Sequence, residues 1–419
     1  MEARLRSVLR LRSALVVCPV LIFLLAKPAA HGQTQGRAWG WAPPRTPLQN
    51  ARNLNIGFNG ADTTGADDQI PYMDQFFSAT EAYYEQQLGR RMPGDRHCHA
   101  YISWDVAEEP AGSTDVAKQG SRAWFEQWLA NNQGHCDQAL VTFKYVSGVS
   151  TGKGFPAPAD YEAAFVRFQQ VSWTSTGWTG RFAFTPWNEP NNGSPSGDGL
   201  KTVLDPHTAA DYYLAIRKHC SPRRRCWVAA GDFGSNGHLG EGFVQNCAND
   251  RAPLCSNATY MDTYKHYLVL DARAYGLARG REFRPELFSY HGWDDINDYI
   301  TQNSNCNSLS DRKCTIYALL NSLSHNTWKF AQIWDTEVGA GQDPQTNPNP
   351  TVQACAASFL LRLTATAGSR ITRIYYTRVW DPNGEYWSLF DSAGAQKPAF
   401  SVLADRNISY TPPDGSTCP

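Results

Sequence analysis

No excess of charge of either sign marks this sequence: only 18% of its 419 residues are charged, and 38 basic residues against 39 acidic ones leave a net charge of −1. That balance excludes the long-range field expected of a nucleic-acid or anionic-membrane binder. Also missing is any apolar run after residue 26 that is long enough to span a bilayer. No Gly/Ser-rich linker divides the chain, and no Gly-x-Gly-x-x-Gly follows the first strand-like run to suggest a dinucleotide site.

The N-terminus is read separately. Arg4, Arg6, Arg10 and Arg12 precede an apolar run, Ala14 to Ala26, and Ala30-His31-Gly32 supplies small residues at a cleavage site. Residues 1–32 are therefore expected to be a signal peptide, 33–52 an extended lead-in, 53–405 the globular unit and 406–419 a tail, in a secreted and soluble protein. The 11 cysteines agree with an oxidising compartment: with Cys18 inside the leader, an even ten remain. Cys220 with Cys226, Cys247 with Cys255, and Cys306 with Cys314 are close pairs. Spacing leaves Cys98, Cys136, Cys355 and Cys418 open, with Cys98–Cys136 and Cys355–Cys418 the simplest pairing. Asn257 and Asn407 begin glycosylation sequons.

What the chain has in quantity is aromatic surface, 14 Trp, 19 Tyr and 19 Phe, which suits both a large core and a cleft for flat apolar ligand faces such as sugar rings. Eight short apolar runs recur: Leu54–Phe58, Ala100–Trp104, Ala139–Val146, Arg181–Thr185, Cys226–Ala230, Leu287–Tyr290, Phe330–Trp334 and Ile371–Tyr376. Segments with apolar residues at helical spacing separate most of them, among them Met73–Gly89, Ser121–Asn131, Asp160–Ser172, Thr208–His219, Tyr260–Gly276 and Thr351–Ala367. Eight alternating units predict an α/β fold, a single (β/α)8 TIM barrel with long, disulfide-stapled loops. At about 48 residues per unit, against about 30 in a minimal barrel, the excess goes to loops.

Two of these runs end in carboxylates. Phe182 to Thr185 leads into Trp187-Asn188-Glu189-Pro190, where Pro190 stops the strand, and the seventh run continues to Thr336-Glu337-Val338-Gly339. Two glutamates at the C-terminal ends of strands four and seven face one another across a barrel mouth, as glycosidic bond cleavage requires: one acid for the leaving oxygen, one carboxylate for C1 or for water.

Trp187-Asn188-Glu189-Pro190-Asn191 and Thr336-Glu337-Val338-Gly339 resemble the strand-four and strand-seven signatures of the clan A retaining glycoside hydrolases. Tyr290-His291-Gly292-Trp293 is similar to the clan's strand-six aromatic/imidazole pair, Val379-Trp380-Asp381 to its sugar-stacking tryptophan, and Leu389-Phe390-Asp391 through Lys397-Pro398 to its closing hairpin and last helix. The resemblance implies Glu189 as general acid/base, Glu337 as nucleophile, Asn188 on the sugar's 2-hydroxyl, Tyr290 orienting Glu337 with His291 as its substitute, and Trp380 under the reacting ring. Trp104 is a further candidate for substrate binding. The chain departs from the clan at strands two and three, which end in Ser103-Trp104-Asp105 and Lys144-Tyr145 in place of Arg or His. The implied enzyme is a monomeric, cofactor-independent hydrolase that holds no metal and acts on a carbohydrate.

Other readings are weaker. Asp335, two residues before Glu337, would share its strand face one layer deeper and suits a buried polar partner better than a nucleophile. Asp294 and Asp295 read as a helix cap. Gly148-Val149-Ser150-Thr151-Gly152 matches a serine-esterase elbow, but the helix-breaking Lys153 to Pro158 follows where that elbow needs a helix. His97-Cys98-His99 sets two imidazoles on one strand face without a third metal ligand, and Asp232-Phe233-Gly234 reads as a turn. A barrel that binds glycan without cleaving it is the alternative of another class.

Overall fold

Alternation along each apolar run serves two layers at once. Leu140, Ala183, Ala229, Leu287, Trp334 and Tyr375 form an inner cluster, while their neighbours Val141, Phe184, Phe288, Ile333 and Ile374 belong to a second core against the helices. The period of two that a strand imposes thus separates barrel filling from helix packing. The computed structural model describes residues 46–59, 66–92, 94–110, 118–150, 154–191, 203–220, 226–234, 260–277, 283–300, 315–324, 326–341, 349–366, 370–381 and 387–418. The expected signal peptide, most of the lead-in, the Cys247–Cys255 and Cys306–Cys314 pairs and Asn257 lie outside them.

The strands are β1 (Asn55–Asn59), β2 (His97–Ser103), β3 (Gln138–Lys144), β4 (Arg181–Thr185), β5 in two pieces (Trp227–Val228 and Ala230–Phe233), β6 (Leu287–His291), β7 (Gln332–Val338) and β8 (Ile371–Tyr376). Every neighbouring pair is parallel. β8 returns to β1 with Ile56 opposite Ile374. The first piece of β5 pairs with β4 and the second with β6, so the ring closes through Ala229, whose amide donates to the Phe184 carbonyl at 2.8 Å. This is the expected (β/α)8 barrel.

The helices, α1 (Pro47–Ala51), α2 (Ala66–Leu88), α3 (Arg122–Asn132), α4 (Pro158–Gln170), α5 (Pro206–His219), α6 (Tyr260–Asp271), α7 (Trp293–Ile300), α8 (Thr315–Ser322), α9 (Pro350–Thr366) and α10 (Pro398–Ala404), start where local chemistry allows. Ser121 caps α3 through the Trp124 amide at 3.2 Å, and Asp205 caps α5 through Thr208 at 3.0 Å. Proline opens α4, α5 and α10, where its missing N–H costs nothing. Asp295 does act as a cap, but for another helix: its carboxylate accepts from the amides of Thr315 (2.6 Å) and Ile316 (3.0 Å) at the start of α8.

Three disulfides lie among the described residues, Cys98–Cys136, Cys220–Cys226 and Cys355–Cys418, each in the expected pairing. The last ties the tail to α9. There the Ser358 hydroxyl also donates to Asn407 O at 2.8 Å, and the Asn407 side chain of the second sequon is exposed. Arg373 donates to Gln138 and lies 4.2 Å over the Trp334 ring, and burial together with Arg373 pushes the His97 imidazole well below its usual range, so it is neutral. Gly57 leaves the space His97 needs, because a Cβ there would overlap the His97 ring and carbonyl. Gly57→Ala is expected to destabilise the fold by about 2–3 kcal/mol through overpacking, read as a lower urea midpoint at unchanged m-value.

Candidate active site

The backbone that carries Glu189 is bent into position. Past β4, the Asn188 amide donates to Phe143 O and the Glu189 amide to Asp232 O, both at 3.0 Å. Glu189 sits at φ 43°, an uncommon conformation for a residue with a side chain. Its carboxyl group rests on Gly234, where a Cβ would come within 2.9 Å of the carboxyl carbon. Asn191 locks Gly234 from both sides, donating to its carbonyl at 2.9 Å and accepting from its amide at 2.8 Å. Asn188 is 7% exposed, and its Oδ1 has no hydrogen-bond partner among the described residues, so a ligand hydroxyl would complete it.

A β-bulge brings Glu337 to the same place. On an unbroken strand Asp335 and Glu337 would share a face. Here Tyr290 pairs with Asp335 but the next residue, His291, pairs with Glu337, skipping Thr336; on the other side Asp335 pairs with Ile374 and Val338 with Tyr376. The extra residue reverses the alternation. Thr336 and Glu337 both turn to the barrel, while Asp335 stays on the helix side, fully buried. The expectation that Asp335 shares the face of Glu337 is therefore corrected. Its Oδ1 accepts from the Gly292 amide at 3.0 Å, and burial first of all, reinforced by Asp295, drives its carboxyl well above the usual range.

The same parity corrects Tyr290. Its ring belongs to the core between barrel and helices, and its hydroxyl meets Asp335. The hydroxyl that reaches Glu337 is that of Tyr101 from β2, donating to Oε2 at 2.5 Å, and the Trp293 indole donates to Oε1 at 3.1 Å. His291, the expected substitute, does face the mouth. Trp104 does not: it lies one position out of phase with Tyr101, packs on Tyr161 of α4 with ring centroids 6.5 Å apart, and is 7% exposed. Trp380 stacks on Tyr72 of α2 at 5.0 Å rather than touching the carboxylates.

His291 is the centre of the cluster. Its Nδ1 lies 2.9 Å from Glu189 Oε1 and 3.6 Å from Glu337 Oε2, and its Nε2 lies 3.5 Å from Asp232 Oδ2. Burial alone would lower the imidazole pKa, but Glu337, Asp232 and Glu189 together raise it well above the ordinary value. The ring is then an imidazolium, hydrogen-bonded to Glu189 through Nδ1 and in charge contact with Asp232 through Nε2. Asp232 is not in a turn, as read from sequence, but in β5 at φ 70°, next to Gly231 at φ 99°, where the pairing register shifts. It is fully buried, and the Thr336 hydroxyl donates to its Oδ1 at 2.5 Å.

Tyr101, Trp293 and Asp232 are thus the site residues that sequence reasoning missed. Tyr101 had a signal: it continues the alternate positions of His97 and His99, all three inside the barrel. His99 uses both nitrogens, toward Thr336 O (3.1 Å) and Thr142 Oγ1 (2.6 Å), and so offers no lone pair to a metal. Ser150 is engaged by Ser103 Oγ at 2.8 Å and the Val146 amide at 3.2 Å, and among the described residues the next helix, α4, begins only at Pro158. Near Glu337, Trp293 and Trp387 meet edge to face at 5.6 Å, forming an aromatic wall.

Because Asp335 holds its proton in the folded state, an amide should replace it. Its raised pKa means that the native chain binds the extra proton, so this group's contribution falls as pH rises above 3.8, the ordinary value, toward the elevated one. Asp335→Asn is expected to fold with a loss of no more than about 1.5 kcal/mol and to flatten that part of the stability–pH curve, measured by urea denaturation at a series of pH values.

No protein-family model and no curated protein matches this sequence, whereas solved structures do. A glucosidase from Croceicoccus marinus is similar at 11% identity over 84% of this chain and 66% of that one, with a TM-score of 0.52. A family 39 glycoside hydrolase from Bacteroides cellulosilyticus WH2 is 15% identical over 86% and 64%, TM-score 0.44. An endo-β-1,4-glucanase from Xanthomonas axonopodis pv. citri is 14% identical over 85% and 99%, TM-score 0.46. This chain spans just under two thirds of the first two proteins. What it shares with the Croceicoccus marinus glucosidase is the fold, the parallel barrel that its motifs resemble.

Proposed function

We propose that the protein is a secreted retaining O-glycoside hydrolase that cleaves an oligo- or polysaccharide by double displacement. The observation that carries this reading is the meeting of Glu189 and Glu337 on a single nitrogen of His291. The two contacts, 2.9 and 3.6 Å, add to 6.5 Å, the most that can separate those two oxygens. That favours the short carboxyl spacing of retaining enzymes, about 5–5.5 Å, over the wider gap that inversion needs for a water. The disulfides support an oxidising compartment.

The roles follow from the surroundings. Glu337 is held by two neutral donors, Tyr101 and Trp293, which stabilise a carboxylate without supplying it a labile proton, and it attacks C1. Glu189 shares a hydrogen bond with a buried imidazolium, so a proton is at hand for the leaving oxygen. Glu189 gives that proton to the glycosidic oxygen as the C1–O bond breaks and the glycosyl ester on Glu337 forms. It then takes one from the water that hydrolyses the ester. Asn188 Oδ1 is suited to the sugar's 2-hydroxyl, and Trp293 and Trp387 to a sugar face.

Glu337→Gln is expected to lower kcat by at least about 10³-fold on every glycoside, and ordinary turnover would refute the assignment. Glu189→Ala should lose about 10²- to 10⁴-fold on natural linkages but much less on 2,4-dinitrophenyl glycosides, whose leaving group needs no proton. Asp232→Asn removes one of the charges that raise the His291 pKa. The alkaline limb of the kcat/KM–pH profile should therefore move to lower pH, with little change in the limb set by Glu337.

A further inference from the structure

We propose that the sugar bound beside Glu337 carries a negative charge, a carboxylate or a sulfate ester, and that Lys144 receives it; this rests on the glycosidase reading and names its substrate class. Lys144 is the last residue of β3 and follows Leu140 and Thr142 on the inner face of the barrel. It is 8% exposed. Its Nζ lies 5.0 Å from the centroid of the Tyr101 ring, and among the described residues no carboxylate and no hydrogen-bond acceptor meets that ammonium. Two other cations among the described residues have partners of their own, Arg378 with Asp381 and Lys397 with Ser388 Oγ at 3.0 Å. The neighbouring carboxylates are committed as well, Asp105 to Ser103 at 2.6 Å and Glu337 to Tyr101 and Trp293.

A cation–π contact supplies this ammonium with less than a counter-charge would. A bound anion removes the deficit. The reach is right. Lys144 Nζ lies over the face of the same Tyr101 ring whose hydroxyl donates to Glu337 Oε2, so the two charges sit on one side chain. A pyranose is about the size of that ring, so a sugar with C1 at Glu337 extends a ring substituent to Lys144. Lysine binds as a compact point charge without the planar fork of arginine, which suits either anion.

The test compares both anomers of 4-nitrophenyl glucuronide, 4-nitrophenyl glucoside and 6-sulfated 4-nitrophenyl glucoside. The native enzyme should prefer a charged substrate, and which one it prefers distinguishes carboxylate from sulfate. In Lys144→Met the ratio of kcat/KM for that substrate to kcat/KM for the glucoside should fall about 10- to 100-fold, chiefly through KM, and Lys144→Arg should restore most of it. Rising salt should erode the preference of the native enzyme but not the residual activity of Lys144→Met. Circular dichroism confirms that each variant folds, and titration of Glu337→Gln with glucuronate, glucose 6-sulfate and glucose reads binding without turnover. Preference for the glucoside, or an unchanged ratio in Lys144→Met, would overturn the anionic-substrate inference and leave the glycosidase reading standing. Lysine-dependent binding of an anionic sugar with no turnover of any glycoside would support the anion site and sink the glycosidase reading. Neither turnover nor binding would overturn both.

Discussion

Three carboxylates, Glu189, Asp232 and Glu337, converge at the mouth of this barrel in a buried space, and such a group cannot coexist with full charge unless something opposes it. His291 does so. From one ring it meets Glu189 and Glu337 through Nδ1 and Asp232 through Nε2. The arrangement is reciprocal, because the same carboxylates hold the imidazole protonated against a burial that would otherwise neutralise it. Each of the three carboxylates contributes to the raised pKa of His291, so this one ring ties the cluster into a single electrostatic unit.

That unit exists only because the strands that carry it are irregular. β7 skips a pairing partner at Thr336 and so turns Glu337 inward, while β5 passes through two residues of positive φ, which brings Asp232 to the inner face. Glycines make room for the consequences. Gly234 accepts the Glu189 carboxyl group, and Gly292 accepts the Asp335 carboxyl group, close to where each would meet a Cβ. A regular β7 would leave Glu337 on the helix side beside Asp335 and put no carboxylate of this strand on the inner face. Asp335 against Tyr290 and the Gly292 amide shows what the outer environment does to an acid: burial raises its pKa well above the ordinary value.

Much of this was legible before any coordinates. Eight apolar runs, the proline after Glu189 and the carboxylate that ends the seventh run announced the barrel and its two glutamates, because strand period, strand termination and the position of loops at the C-terminal rim are local consequences of residue type. Tyr290 and Trp104 were misassigned for one shared reason. A one-residue change of phase sends a side chain from the barrel to the helix layer, and aromatic character does not reveal the phase. Tyr101 could have been found by extending the alternation of His97 and His99. Asp232 could not, since its role depends on a positive φ that nothing in Asp232-Phe233-Gly234 requires.

By itself, then, the sequence determined the parallel barrel, the order of its elements, the close Cys220–Cys226 pair and the two strands that end in glutamate, all of which follow from apolar periodicity, breakers and spacing. Only the tertiary structure decided which residues face the mouth, that Tyr101 and Trp293 hold Glu337, and that His291 is shared by three carboxylates. The physical reason is that register and bulges arise from the closure of eight strands on one another, a condition no single segment contains.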